Sequence, residues 1–314
     1  MGILNILNIQ VSGGAPVWLW LLGAVLVLVL AWLWLIAPQL WHRPSFRVFR
    51  TFDYAHRGLH NLKNGVPENS SKAFRLAELA GFGMEFDLQL TKDKRVVIHH
   101  DSTILRSCGV DRAIAEMDYA ELSGYRLFGT QETIPLFSQV LGALHGDTPL
   151  IIELKSYNDP AELCGQVMKE LEGYKGLYCV ESFDPRIVRW FRKNRPEVIR
   201  GQLMGRFKKG DDGMSRAGAF CARNLLTNWY ARPHFEAYHL GTRDIPAMWA
   251  VKNLLGMQEV SWTIRSQEEY DKAKALGSLV IFEHILPAGT ESKPRKSYLE
   301  LLETEYVTVS RRAR

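Results

Sequence analysis

From Val17 to Leu40 nearly every position is apolar, and no charged side chain occurs between Met1 and Trp41. As one helix, a run of that length crosses a hydrocarbon core of about 30 Å, so a membrane span over residues 17–41 is predicted after a short segment, 1–16. A cleaved signal peptide would carry positive charge before a shorter apolar core and end in a small-x-small site. Here Arg43, Arg47 and Arg50 follow the run instead, which favours a retained anchor. Basic residues beside a span stay on the cytoplasmic side, so the bulk of the chain is expected to face the cytoplasm. Trp18, Trp20, Trp32, Trp34 and Trp41 lie towards both ends of the run, as interfacial anchors do.

Beyond a basic juxtamembrane linker, 42–52, the pattern changes to short β-rich runs separated by helical periodicity. Strands are predicted at Asp53–His56, Met84–Leu88, Leu150–Leu154, Tyr178–Phe183, Val198–Leu203, Phe235–Leu240, Glu259–Ile264 and Ser278–Glu283. Helices are predicted at Ser71–Ala80, Pro160–Leu171, Pro185–Asn194, Ile245–Leu255 and Gln267–Leu276. Gly81, Gly173, Gly256 and Gly277 stand where helix C-caps want glycine. Eight strands alternating with helices predict a (β/α)8 TIM barrel over 53–290; a doubly wound open sheet shares the alternation. A C-terminal helix and basic tail are assigned to 291–314.

One connection breaks the rule. Only seven residues, Gln89 to Arg95, separate Leu88 from Val96, too few for a parallel crossover. The run Val96–His100 therefore returns as a hairpin, which brings His99 and His100 beside Glu85 and Asp87. Strand alternation puts Glu85 and Asp87 on one face and Met84, Phe86 and Leu88 on the other. On the run after Leu150, Glu153 and Lys155 share a face in the same way. His99 points away from His100 and is read as structural.

Composition narrows the options further. The net charge of +5 over 314 residues comes from scattered Lys and Arg, not a basic face with interleaved aromatics, so no nucleic-acid partner is expected. No protein partner is expected either. Cys108, Cys164, Cys179 and Cys221 have neither C-x-x-C spacing nor a dense framework, and read as buried thiols of a reducing compartment. Glu85, Asp87 and Glu153 are candidate ligands of Mg2+ or Ca2+: close carboxylates repel one another unless a cation neutralises them, and oxygen donors favour hard ions. Salt bridges to Arg57 and Lys155 would satisfy them too.

The motifs His56-Arg57-Gly58, Pro67-Glu68-Asn69-Ser70, Glu85-Phe86-Asp87, Thr91-x-Asp93, Val96-Val97-Ile98-His99-His100-Asp101 and Glu153-Leu154-Lys155 resemble the glycerophosphodiester phosphodiesterase family. Glu181-Ser182-Phe183 and Ser261-Trp262-Thr263 continue the likeness in the same order, over roughly Asp53 to Pro287. The resemblance implies a TIM barrel of the phospholipase-C-like phosphodiesterase type. It also implies a bound divalent cation, and hydrolysis of glycerophosphodiesters to an alcohol and glycerol 3-phosphate. It makes His56 and His100 the acid–base pair, with either a cyclic phosphate or direct attack by water as the route. Arg57 suits bidentate phosphate binding and Lys155 suits offsetting phosphoryl charge. Glu68 and Asn69 precede a helix start; capping is the plain reading, while the resemblance brings them near metal and substrate. Trp262 is assigned to the glycerol or head group, against a core tryptophan. Where the family often closes on an aspartate, this chain has Glu283, whose role is left open.

With the anchor, these features predict a membrane-bound enzyme acting on soluble glycerophosphodiesters or on lysophospholipids at the bilayer. The rivals are phospholipase C- or D-type cleavage of a membrane lipid, and a catalytically idle lipid-binding module.

Overall fold

Apolar faces of period two and period 3.6 both find partners in the tertiary structure. The computed structural model describes residues 16–205, 207 and 215–288; the expected segment up to residue 15 and the C-terminal helix and tail (291–314) lie outside them. Eight parallel strands form a closed ring: β1 (Tyr54–Ala55), β2 (Gly83–Leu90), β4 (Leu150–Leu154), β5 (Tyr178–Ser182), β6 (Arg200–Met204), β7 (Phe235–His239), β8 (Gln258–Ile264) and β9 (Leu279–Phe282). Pairing of β1 with both β2 and β9 shuts the barrel, which rules out the open sheet. The remaining strand, β3 (Val96–Ile98), runs antiparallel to the end of β2, with Leu88 opposite Ile98 and Leu90 opposite Val96. The expected hairpin is present, and the His99 amide donates to the Asp87 carbonyl at 2.9 Å.

Helices α2 (Ser71–Leu79), α6 (Pro160–Leu171), α7 (Pro185–Asn194), α10 (Pro246–Asn253) and α11 (Gln267–Ala275) match the predicted segments within a few residues. Each start has a local cause. Ser70, Asp159, Asp184 and Ser266 accept from backbone amides of the first turn, and α6, α7 and α10 carry proline in that turn. Gly81, Gly256 and Gly277 adopt positive φ after their helices, whereas Gly173 does not. Short α8 (Arg216–Arg223) and α9 (Asn228–Ala231) lie between β6 and β7.

Outward residues such as Met84, Phe86, Leu88, Leu150 and Ile152 pack under the helices. Inward residues Tyr54, Ile151, Cys179, Leu203, Phe235, Val260 and Ile281 plug the barrel, together with Phe46 and Phe49 from the linker. Gly201 makes room for that plug: a Cβ there would meet the Phe235 ring at 2.2 Å. Between β3 and α5 (Phe137–Ala143), an excursion containing α3 (Leu105–Cys108) and α4 (Tyr119–Leu122) buries its own small core around Val97, Ile104, Ile114, Met117 and Leu127. All four cysteines are unpaired; Cys164 and Cys179 are buried, but Cys108 and Cys221 are only half-buried.

Helix α1 (Val17–Ile36) is 20 residues, about 30 Å long. It is the one helix among the described residues long and apolar enough to cross a membrane. It stops five residues before the predicted limit, because Pro38 holds Ala37 in an extended conformation (φ −61°, ψ 135°). Most of its length is exposed, but Ile36 is buried against the barrel, with Trp32 and Leu33 packed beside it.

Candidate active site

The site grows from two loops locked together at the C-terminal end of β1. Arg57 and Gly58 both adopt positive φ (55° and 80°), turning the chain so that the Arg57 amide donates to Glu85 Oε2 at 2.9 Å. Gly58 is required twice over, since a Cβ would also meet Ala73 at 2.9 Å. Asn69, itself at φ 54°, donates its amide to the Arg57 carbonyl and its side chain to Asp87 Oδ2, at 2.9 and 2.8 Å. Ser70, not Glu68 or Asn69, caps α2.

Parallel register sets the carboxylates side by side. Asp87 on β2 faces Glu153 on β4, and Glu153 faces Glu181 on β5. Oxygens of Glu85, Asp87 and Glu153 lie within 4.8 Å of one another. Lys155 reaches between them, 2.5 Å from Glu153 Oε1 and 2.8 Å from Asp87 Oδ1. Arg57 lies 3.3 Å from Asp87 Oδ2 and 2.7 Å from Glu68 Oε1, so much of its fork is engaged by carboxylates. The four carboxylates Glu85, Asp87, Glu153 and Glu181 are all buried. When ionised, they exceed the two cations Arg57 and Lys155 by the charge of one divalent ion. Glu85 Oε1 and Glu181 Oε2 have no hydrogen-bond partner. Salt bridges therefore satisfy this cluster only in part, and the all-oxygen donor set fits a hard divalent cation.

The titration directions express the same imbalance. Burial, then Asp87 and Glu153, push Glu85 well above the ordinary carboxylate range. Burial and Glu153 do the same to Glu181. Burial would raise Asp87 too, but Lys155, His100 and Arg57 hold it well below. At the rim, Arg106 and Arg57 outweigh burial and bring Glu68 down to about 2.

The two candidate histidines are held differently. His56 is enclosed, with Nδ1 3.4 Å from Glu283 Oε2 and Nε2 3.9 Å from Glu85 Oε2. Burial, aided by Arg57 and opposed by Glu283, lowers His56 to about 4. His100 is more open; its Nδ1 lies 2.6 Å from Asp101 Oδ1, and Arg106 grips the other Asp101 oxygen at 2.6 Å. His99 points away and is anchored on the Asp101 carbonyl and Ser107 Oγ, as a structural residue would be. Trp262 stands edge-on to Phe183 and His239, with ring centroids 5.9 and 5.8 Å away, and its buried Nε1 lacks a partner. Beside the mouth, next to Glu283, is a cavity of about 680 Å3 with apolar walls from Leu59, Leu62, Phe282, Ile285 and Leu286.

Four contributors had no role assigned from the sequence. Glu181 was visible as the inward residue in register with Glu153. Asp101 was adjacent to His100. Arg106 gave no local signal, because it joins Glu68 only across the fold, and Glu283, singled out with its role open, acquires one only where the fold sets it beside His56. Glu283 turns out to anchor a group of bases: His60 and His284 approach its Oε1 at 3.4 and 3.2 Å, and Arg265 holds Oε2 at 2.7 Å.

Residues 56–282 match the model of the glycerophosphoryl diester phosphodiesterase family. The chain belongs to this family. Similarity to a glycerophosphodiester phosphodiesterase of Caldanaerobacter subterraneus subsp. tengcongensis is 28% identity over 240 residues, 71% of this chain and 89% of that one. The lysophospholipase D GDPD1 of Rattus norvegicus is 33% identical over 147 residues, which span 42% of this chain and only 45% of the rat protein. Among solved structures, an Oleispira antarctica phosphodiesterase in complex with sn-glycerol-3-phosphate superposes with a TM-score of 0.63 at 21% identity. That match covers 76% of this chain and 95% of the other, and it shows a shared fold. The family's match begins at His56, so α1 lies outside it.

Proposed function

We propose that this family member hydrolyses glycerophosphodiesters, lysophospholipids included, releasing the head-group alcohol and leaving the phosphate on glycerol. The observation that carries the proposal is the pairing of His56 and His100 around a buried cluster of carboxyl groups that Arg57 and Lys155 satisfy only in part. Glu85, Asp87 and Glu153 would hold a divalent cation, Mg2+ or Ca2+, with Lys155 beside them. When bound, the ion neutralises the carboxylates and draws charge from phosphoryl oxygens.

His56 is neutral at physiological pH and its Nδ1 side is occupied by Glu283, so Nε2 accepts the proton of the attacking oxygen, whether glycerol 2-hydroxyl or water. As the new P–O bond forms, the bond to the alcohol oxygen breaks. His100, oriented by Asp101, gives that oxygen its proton; on the 2-hydroxyl route water then opens the cyclic phosphate, His100 taking the water's proton and His56 returning one to the 2-oxygen. Arg57 and Lys155 offset the phosphoryl charge, and Trp262 Nε1 faces the bound head group. The apolar cavity beside Glu283 supports the lysophospholipid reading, since it offers room for a chain next to His56. We place α1 in the membrane and the barrel on the cytoplasmic side, because Arg43, Arg47 and Arg50 follow the helix.

Product analysis tests the reading. Glycerophosphocholine or lysophosphatidylcholine should yield free choline; phosphocholine would instead mean phospholipase C-type cleavage. His56→Ala and His100→Ala should each lower kcat by about a hundredfold or more, and unchanged turnover would exclude the acid–base pair. Chelation should abolish activity, with Mg2+ or Ca2+ restoring the wild type but not Asp87→Ala. Protease protection in sealed vesicles checks the orientation.

A further inference from the structure

At the opposite end of the barrel from the candidate active site, five arginines gather where α1 meets the sheet. Arg232 donates to the carbonyls of Trp34 and Ala37 at 2.9 and 2.7 Å and lies over the Trp34 ring. Arg189 and Arg192 both donate to the Tyr230 carbonyl. Arg43 donates to the carbonyls of Gln39, Leu255 and Gly256. Arg200 is 2% exposed; its Nε and Nη1 have no partner, and Nη2 reaches Gln39 Oε1 at 3.4 Å. Among the described residues, no carboxylate lies within 4 Å of any of the five.

This arrangement is unfavourable as it stands. A buried guanidinium without a counter-charge is strongly disfavoured, and the neighbours add repulsion. Burial, with help from Arg192, lowers Arg200 to about 10, and burial and then Arg192 lower Arg232 too. The cluster borders a cavity of about 390 Å3 whose lining includes Gln39, Arg192 and Arg232 on its polar side and Leu33, Trp34 and Trp41 on its apolar side. The backbone around it is already tied to the barrel: the Gln39 amide donates to Pro233 and Asn228 Nδ2 donates to the Ile36 carbonyl. Among the described residues, none brings an anion to this cavity.

Position identifies the kind of anion. The exposed part of α1 ends just above the cavity, so with α1 in a bilayer the arginines sit at head-group depth. Trp34, Trp41 and Trp229 are exposed around it, as interfacial aromatics are. We propose that this cavity binds the phosphate of an anionic glycerophospholipid, gripped by Arg192 and Arg232 with Arg200 behind Gln39, while Leu33, Trp34 and Trp41 flank the glycerol and first acyl carbons. The lipid is a structural ligand: the cavity opens at the strands' N-terminal side, away from His56 and His100. The assignment rests on reading α1 as membrane-embedded.

Native mass spectrometry of the full chain in detergent, titrated with phosphatidylglycerol or phosphatidylcholine, tests it. One phosphatidylglycerol per chain should be retained with at least tenfold preference and should survive 0.5 M NaCl, where diffuse surface attraction is screened. Arg192→Gln/Arg232→Gln should bring the preference within about twofold while turnover of glycerophosphocholine stays unchanged, which also shows that the variant is folded. Arg192→Lys, which keeps charge but loses the fork, should fall between. Equal retention by wild type and the double variant would overturn the site. Thermal stabilisation by millimolar inorganic phosphate, lost in the double variant, with no phosphatidylglycerol preference would assign the anion site to free phosphate and overturn the lipid. Flotation of the full chain with phosphatidylcholine vesicles tests α1 separately: a chain that stays behind, yet keeps the phosphate response, would sink the membrane reading and the lipid with it, leaving an anion site.

Discussion

Replacing Glu236 with glutamine should stabilise the protein at neutral and higher pH. Glu236 lies on the outer face of β7 and is fully buried; its Oε1 accepts from Asn228 Nδ2 at 2.8 Å, and Oε2 has no partner. The same Asn228 Nδ2 donates to the last carbonyl of α1, so the carboxyl group sits directly beneath the docked helix. Burial raises Glu236 from 4.5 to about 8, with Asn228 opposing. The sign follows from linkage. The folded chain holds this proton more tightly than the unfolded chain, so stability is full below pH 4.5, falls as pH rises and levels off above about 8. At pH 7 the loss is about 3 kcal/mol. Glutamine cannot ionise and keeps the acceptor for Asn228, so that loss disappears. For a barrel of this size, about 3 kcal/mol corresponds to a shift in Tm of roughly 6–12 °C. Thermal unfolding in detergent at pH 5 and pH 8 provides the assay. The variant and wild type should nearly coincide at pH 5 and diverge at pH 8, the variant being more stable. Parallel pH dependences for the two proteins would refute the buried, unpaired carboxyl group.

Lys155→Met removes the cation between Asp87 and Glu153, and should cost about 3–5 kcal/mol without metal. Added Mg2+ or Ca2+ should recover more of its Tm than it adds to the wild type; a Tm indifferent to either ion would contradict the metal reading. Gly58→Ala should lose about 2 kcal/mol or more, since it adds a 2.9 Å clash to a positive φ. Gly65→Ala, with positive φ but open space, should lose only about 1 kcal/mol, and equal losses in urea unfolding would deny the clash. Trp262→Ala should raise KM about tenfold with kcat within a few-fold, a loss of roughly 1.4 kcal/mol of head-group contact; a kcat effect alone would give the ring a different role.

What depends on short range could be read from the residues in order. Period-two alternation separated Glu85 and Asp87 from Met84 and Phe86, and the seven residues after Leu88 left no option but a hairpin, so His100 and His99 parted as expected. Cap residues and prolines placed the helices. The eight-strand alternation was compatible with a barrel, but only closure of β1 onto both β2 and β9 excluded an open sheet. Burial and charge balance were likewise beyond the sequence, because both sum over groups far apart in the chain. Glu283 met His56 and Arg106 met Glu68 by tertiary contact. The arginines beneath α1 are dispersed from Arg43 to Arg232, and their mutual repulsion exists only because the barrel brings those positions to one wall.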